Sequence, residues 1–141
     1  MSVEVSWDGP SADEPDRGNA VEITTVDELD AVLDQVAEQA AKDGVPYGVQ
    51  IHDSEASGSV MIGIGHDRSF VDWLDDSGAR TSAEEPDIAE WPEPIGFDLY
   101  GNWHEYEPEE TRVSEEIARR AVHEYLNTRT RPTCVQWPAA S

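Results

Sequence analysis

A chain of 141 residues with 31 acids against nine bases carries a net charge of −22, which disfavours nucleic acid and anionic membranes and favours a cationic partner. Its apolar content of 38%, with five Trp, four Tyr and two Phe, separates it from acidic disordered tails and predicts one folded domain over 1–141. No apolar run approaches the roughly 20 residues of a membrane span, residues 1–10 lack the features of a signal peptide, and the single cysteine, Cys134, has no internal partner, so a cytoplasmic location is expected.

The acidity is uneven, with 24 acids and four bases in residues 1–100 against seven and five in 101–141. Eight of the nine bases are Arg and only Lys42 is Lys, a bias that a salt-adapted or GC-rich organism would also produce. A lopsided field therefore has two readings, a cationic partner or a saline cytoplasm.

Along the chain, Val3, Val5 and Trp7 alternate with polar residues as in a half-buried strand, residues 8–19 are turn-rich, and a second strand follows at 21–24. Thr25 with Glu28 makes a capping box that opens a helix over 26–42. Leu29, Val32, Leu33, Val36 and Ala40 form its apolar stripe and Gly44 its stop. Residues 47–52 and 60–65 read as a hairpin, and Phe70 to Leu74 as a third strand. From 79 to 94 the pattern dissolves into a loop with three prolines and five acids. Two short strands follow around Gly101 and Asn102, then a second helix over 114–127 capped by Ser114, and a closing strand at 133–137. The expected architecture is α+β, a mostly antiparallel sheet with two packed helices.

The four histidines are each followed by an acid, at His52, His66, His104 and His123, which raises a metal site. However, Asn127 stands where a zinc helix would need its second histidine, and no cysteine cluster supplements the set. Gly63-Ile64-Gly65 opens like a dinucleotide loop, but Arg68 replaces its third glycine. Cys134, in an apolar stretch, reads as an inert packed thiol. No catalytic residue, cofactor or metal is expected.

A surface loop with three prolines is a natural place for function, and Trp91 within it is either a plug back into the domain or an aromatic anchor for a partner. The candidate partner-binding residues are Asp75, Asp76, Glu84, Glu85, Asp87, Glu90, Trp91 and Glu93, with Glu105, Glu107, Glu109 and Glu110 in support.

Three stretches have a familiar form: Tyr100-Gly101-Asn102-Trp103-His104-Glu105, Arg112-Val113-Ser114 at a helix start, and Thr130-Arg131-Pro132-Thr133-Cys134-Val135-Gln136-Trp137. With the segment from Gly63 to Phe70 and the helix after Thr25, they resemble the first-numbered immunity-protein family of bacterial polymorphic toxin systems over most of the chain. Residues 83–94 depart from that pattern as an insertion would. The resemblance implies a monomer that pairs with a cognate toxin domain made by the same cell, often a nucleic-acid-directed deaminase or nuclease, and supplies no catalytic residues. Trp103, Pro132 and Trp137 read as sheet-packing and turn residues. A small metal-dependent hydrolase or deaminase, and an acidic adaptor of a salt-adapted organism, are the competing readings.

Overall fold

The computed structural model describes residues 3–7, 19–56, 58–75, 77, 79–85, 88–89, 91–99 and 102–137. Val3, Val5 and Trp7 point into the core while Glu4 stays exposed, so strand β1 (Val3–Trp7) keeps the expected alternation and pairs antiparallel with β2 (Asn19–Ile23). Thr25 Oγ1 accepts the Glu28 N–H at 3.1 Å, and Glu28 Oε1 accepts the Thr25 N–H at 3.1 Å. This closes the capping box at the start of α1 (Val26–Asp43). The Thr24 hydroxyl and N–H donate to the same oxygen, and these bonds hold the Glu28 carboxyl below its ordinary pKa. Gly44 ends the helix at φ +70°, where its N–H reaches Ala40 C=O at 2.8 Å in a conformation that favours glycine.

The hairpin of β3 (Tyr47–His52) and β4 (Gly58–Ile64) follows, then the short β5 (Arg68–Ser69), β6 (Val71–Asp75) and β7 (Arg80–Ser82). A second hairpin joins β8 (Ile95–Leu99) to β9 (Asn102–Tyr106). After a 3-10 turn at Pro108–Glu110 come β10 (Val113–Ser114), which pairs with β5, and α2 (Glu115–Thr128). Among the described residues the main sheet runs β2-β1-β3-β4-β6-β7. The β8–β9 hairpin branches from one edge of β3: Tyr47 pairs parallel with Asp98, while Gln50, Ile51 and His52 pair with β1. The α+β class is as expected.

Every residue of β4 is buried because both of its faces are covered. On one side Val60, Ile62 and Ile64 join Leu29, Leu33 and Val36 of α1 and Ala118, Val122 and Tyr125 of α2 in the main core. On the other, Met61 meets Phe70, Ile95, Phe97 and Tyr106 in a smaller cluster contributed largely by the β8–β9 hairpin. Phe70 stacks on Tyr106 with ring centroids 4.3 Å apart and meets Phe97 edge-on at 5.1 Å. The Phe97 ring lies against Gly63, where any Cβ would collide with it, so glycine is what lets the hairpin seat. The buried Tyr125 hydroxyl donates to Gly58 C=O at 2.7 Å and accepts from the Asp53 N–H at 3.1 Å, tying α2 to the β3–β4 hairpin. Burial raises its pKa.

Two expectations need correction. Residues 79–94 are not loop throughout, because Arg80–Ser82 forms β7 against β6 and Glu84 makes an isolated bridge with Gln136. That strand has no apolar alternation to read; Arg80 and Ser82 instead anchor it through polar contacts with Asp72. The closing strand expected at 133–137 does not form: residues 133–135 bend, and Gln136 alone pairs, in the isolated bridge with Glu84. The Thr133 and Cys134 N–H groups donate to the Glu124 carboxylate at 2.6 and 3.2 Å, which uses up the donors a ladder would need. Among the described residues no helix is long and apolar enough to cross a membrane.

Candidate partner-binding surface

The acids singled out from the sequence divide by what their carboxylates touch. Asp75 Oδ1 accepts from the Ser77 N–H and hydroxyl and from the Ala79 N–H, which shapes the β6–β7 turn. Glu85 accepts from the Ser114 N–H at 3.1 Å and hydroxyl at 2.7 Å, holding the cap of α2 in place. Glu110 closes the 3-10 turn onto the Glu107 N–H and lies 3.7 Å from Arg80. Glu84 exchanges backbone hydrogen bonds of 2.8 Å with Gln136, and its half-exposed carboxylate lies 3.6 Å from Arg112. Glu93, Glu105, Glu107 and Glu109 are exposed. Asp76, Asp87 and Glu90 lie outside the described residues.

An open cleft of about 400 Å³, lined by Ser82, Ala83, Glu84, Glu109, Gln136 and Trp137, brings two of the candidate acids together. Trp91 does not line it. Its half-buried indole packs against the smaller cluster. His66 meets it edge-on at 5.2 Å and the Arg68 guanidinium lies 5.3 Å over its ring. Arg68 also donates to Ala89 C=O, so the segment before Trp91 is tied to the same arginine.

The exposed tryptophan is Trp103, with 58% of its surface in water. Its expected role in sheet packing is only partly met. The indole lies over Gly96 of the neighbouring strand, where a Cβ would collide with it, but the rest of the ring faces outward. The signal was in the strand's own alternation. In β9, His104 and Tyr106 share the face that meets Phe97, which leaves Trp103 and Glu105 on the opposite, outer face. Pro132 and Trp137 do serve the fold: Pro132 is buried, and Trp137 Nε1 donates to its carbonyl at 2.7 Å beneath the Arg131 guanidinium.

Asp72, fully buried on β6, carries a strongly perturbed carboxyl. Ser82 donates to its Oδ1 at 2.7 Å, and Arg80 Nε lies 3.1 Å from Oδ2 without hydrogen-bond alignment. Arg80 also passes 5.2 Å over the Tyr106 ring, whose buried hydroxyl has no hydrogen-bond partner among the described residues. Burial pushes the Asp72 carboxyl up to about 6, outweighing the opposing pull of Ser82 and Arg80. Burial likewise raises the pKa of Tyr106.

For a carboxyl shifted upward, the folded state holds its proton more tightly than the unfolded chain does. Its contribution to stability is full below about pH 4 and is lost as pH rises through about 6. Asp72→Asn keeps the side chain's shape without the titration. Between pH 4 and pH 7 the wild type is expected to lose about 2–3 kcal/mol relative to this variant in urea unfolding. A difference that does not vary with pH would contradict the assignment.

The histidines have separate surroundings. His123 Nε2 lies 2.6 Å from Asp30 and links α2 to α1, His66 Nδ1 accepts the Arg68 N–H at 3.0 Å, and His104 packs edge-on against Tyr106. Among the described residues no group of three His, Cys, Asp or Glu side chains is placed to hold a metal ion. Cys134 is half-buried, and burial, then the Glu124 carboxylate, pushes its thiol pKa up, away from the reactive thiolate.

No curated protein matches this sequence. A family model described as Immunity protein Imm1 matches residues 17–139, from the start of β2 through α2 to the Trp137 segment. The match takes in both hairpins, both helices and the segment from Pro132 to Trp137, and so this chain belongs to the Imm1 immunity-protein family.

Proposed function

We propose that this immunity protein acts by stoichiometric capture, binding a basic toxin domain made by the same cell and covering its active site or substrate groove. The observation that carries this reading is the net charge of −22 on a member of an immunity family. A toxin that attacks nucleic acid, such as a deaminase or a nuclease, must offer phosphates a cationic surface, and an acidic protein that complements that surface competes directly with the substrate. The exposed acids Glu84, Glu93, Glu105, Glu107 and Glu109 supply the contact charges. Asp76, Asp87 and Glu90 belong to the same acidic stretch of sequence. Asp75, Glu85, Glu110 and Trp91 shape the elements that present them. The protein acts in the cytoplasm as the monomeric half of a heterodimer, with no cofactor and no chemistry of its own.

The test is co-expression with the product of the adjacent gene. A growth-arresting neighbour rescued by this protein, co-purifying with it and losing activity in proportion to added immunity protein until the two are equimolar, is the expected result. Association should also slow markedly from low to high salt, because opposite fields steer the encounter. Inactivation by far less than an equimolar amount would point instead to an enzyme acting on the toxin, and failure to associate would remove the reading.

A further inference from the structure

We infer that the outer face of the β8–β9 hairpin, centred on Trp103 with Glu105 beside it, is the docking face for an arginine-bearing segment of the toxin. This rests on the capture reading above and names the surface that performs it.

Trp103 and Val21 are the large apolar side chains left exposed among the described residues, and Trp103 is the more open at 58%. Tryptophan is among the residue types enriched at the energetic centres of protein interfaces, and here a folded strand holds one in water. It is not a loose side chain, because one part of the indole is seated on Gly96 of the paired strand. The cross-strand register places Gly96 opposite Glu105 and Asp98 opposite Trp103, so these four residues share the outer face while Ile95, Phe97 and Tyr106 hold the inner one in the core. Among the described residues β9 pairs only with β8, which leaves its other edge open beside the indole.

The charge along this stretch of sequence, with Glu105 and Asp98 on the same face as the indole, points to the class of occupant. Between Arg80 and Arg112 the chain has ten acids and no Lys or Arg, and the whole hairpin lies inside that interval. An exposed indole flanked by carboxylates suits a guanidinium, which stacks on the ring through its flat face and donates to carboxylates through its edge. A second copy of this chain would bring the same acids and be repelled.

Trp103→Ala, Glu105→Lys and Glu38→Lys are compared with wild type for binding to the growth-arresting product of the adjacent gene, with thermal melts to confirm folding. Glu38 is an exposed acid on α1, so Glu38→Lys changes the net charge as Glu105→Lys does, away from the hairpin. Trp103→Ala is expected to weaken binding at least ~30-fold and Glu105→Lys at least ~10-fold, with Glu38→Lys changing it less than ~3-fold. Glu105 has no partner in the core, so its variant keeps the test decisive if Trp103→Ala loosens the hairpin. If wild type binds and either hairpin variant binds as Glu38→Lys does, the docking face lies elsewhere and capture stands. If wild type itself does not bind, capture fails first. Dimerisation of the free protein that Trp103→Ala abolishes would assign the face to self-association and overturn the inference.

Discussion

Deleting residues 132–141 is expected to abolish the cooperative thermal transition of this protein. Val135 is 5% exposed within the main core, with Cys134 and Trp137 packed against it, and Pro132 is buried. The deletion also strips the paired backbone hydrogen bonds between Glu84 and Gln136 and leaves Glu124 without the Thr133 and Cys134 donors. Apolar area lost at Val135 and Trp137 together with these bonds amounts to about 5 kcal/mol or more. The whole stability of such a domain is of the order of 5–15 kcal/mol. Circular dichroism melts check this: a truncated protein that still melts cooperatively within a few degrees of full length would show that the segment is ornamental.

The second large effect is expected at Phe97. Its ring fills the space over Gly63 and meets Phe70 and Tyr106 edge-on, so Phe97→Ala opens a cavity that backbone on one side and aromatic rings on the other cannot easily close. A loss of about 4 kcal/mol follows from the usual cost of removing a buried aromatic, with a fall in melting temperature of roughly 13 °C. Phe97→Leu, which keeps most of the volume, should lose less than half as much. Equal losses for the two variants would mean that the hairpin peels away instead of leaving a cavity.

What could be read from the sequence was local. The Thr25 to Glu28 box, the α1 stripe, the Gly44 stop and the Ser114 cap each depend on residues within a turn or two, and all four stand in the structure as expected. The strand at Arg80–Ser82 could not be read because its anchor, Asp72, lies on another strand and works through buried polar contacts, not apolar alternation. Residues 133–137 alternate as a strand does, but the carboxylate of Glu124, on α2, takes two of their donors. The candidate surface was legible as a region of charge. The exposure of Trp103 was legible only through strand parity, because His104 and Tyr106 face the core side of β9 and leave Trp103 with Glu105 on the outside.

The double burial of β4 has a consequence for how a partner would meet the hairpin that lies over it. Phe97 and Tyr106 clamp the inner face of β8–β9 to the sheet, so the outer face is already ordered before anything lands on it. A floppy loop must surrender conformational freedom on association, at roughly 0.5–1.5 kcal/mol for each side chain immobilised. A plate bolted to the core surrenders little. Preorganisation of this kind leaves more of the gross contact energy as affinity, and it acts mainly on how long a complex lasts once formed, complementing a charge field that acts on how fast it forms.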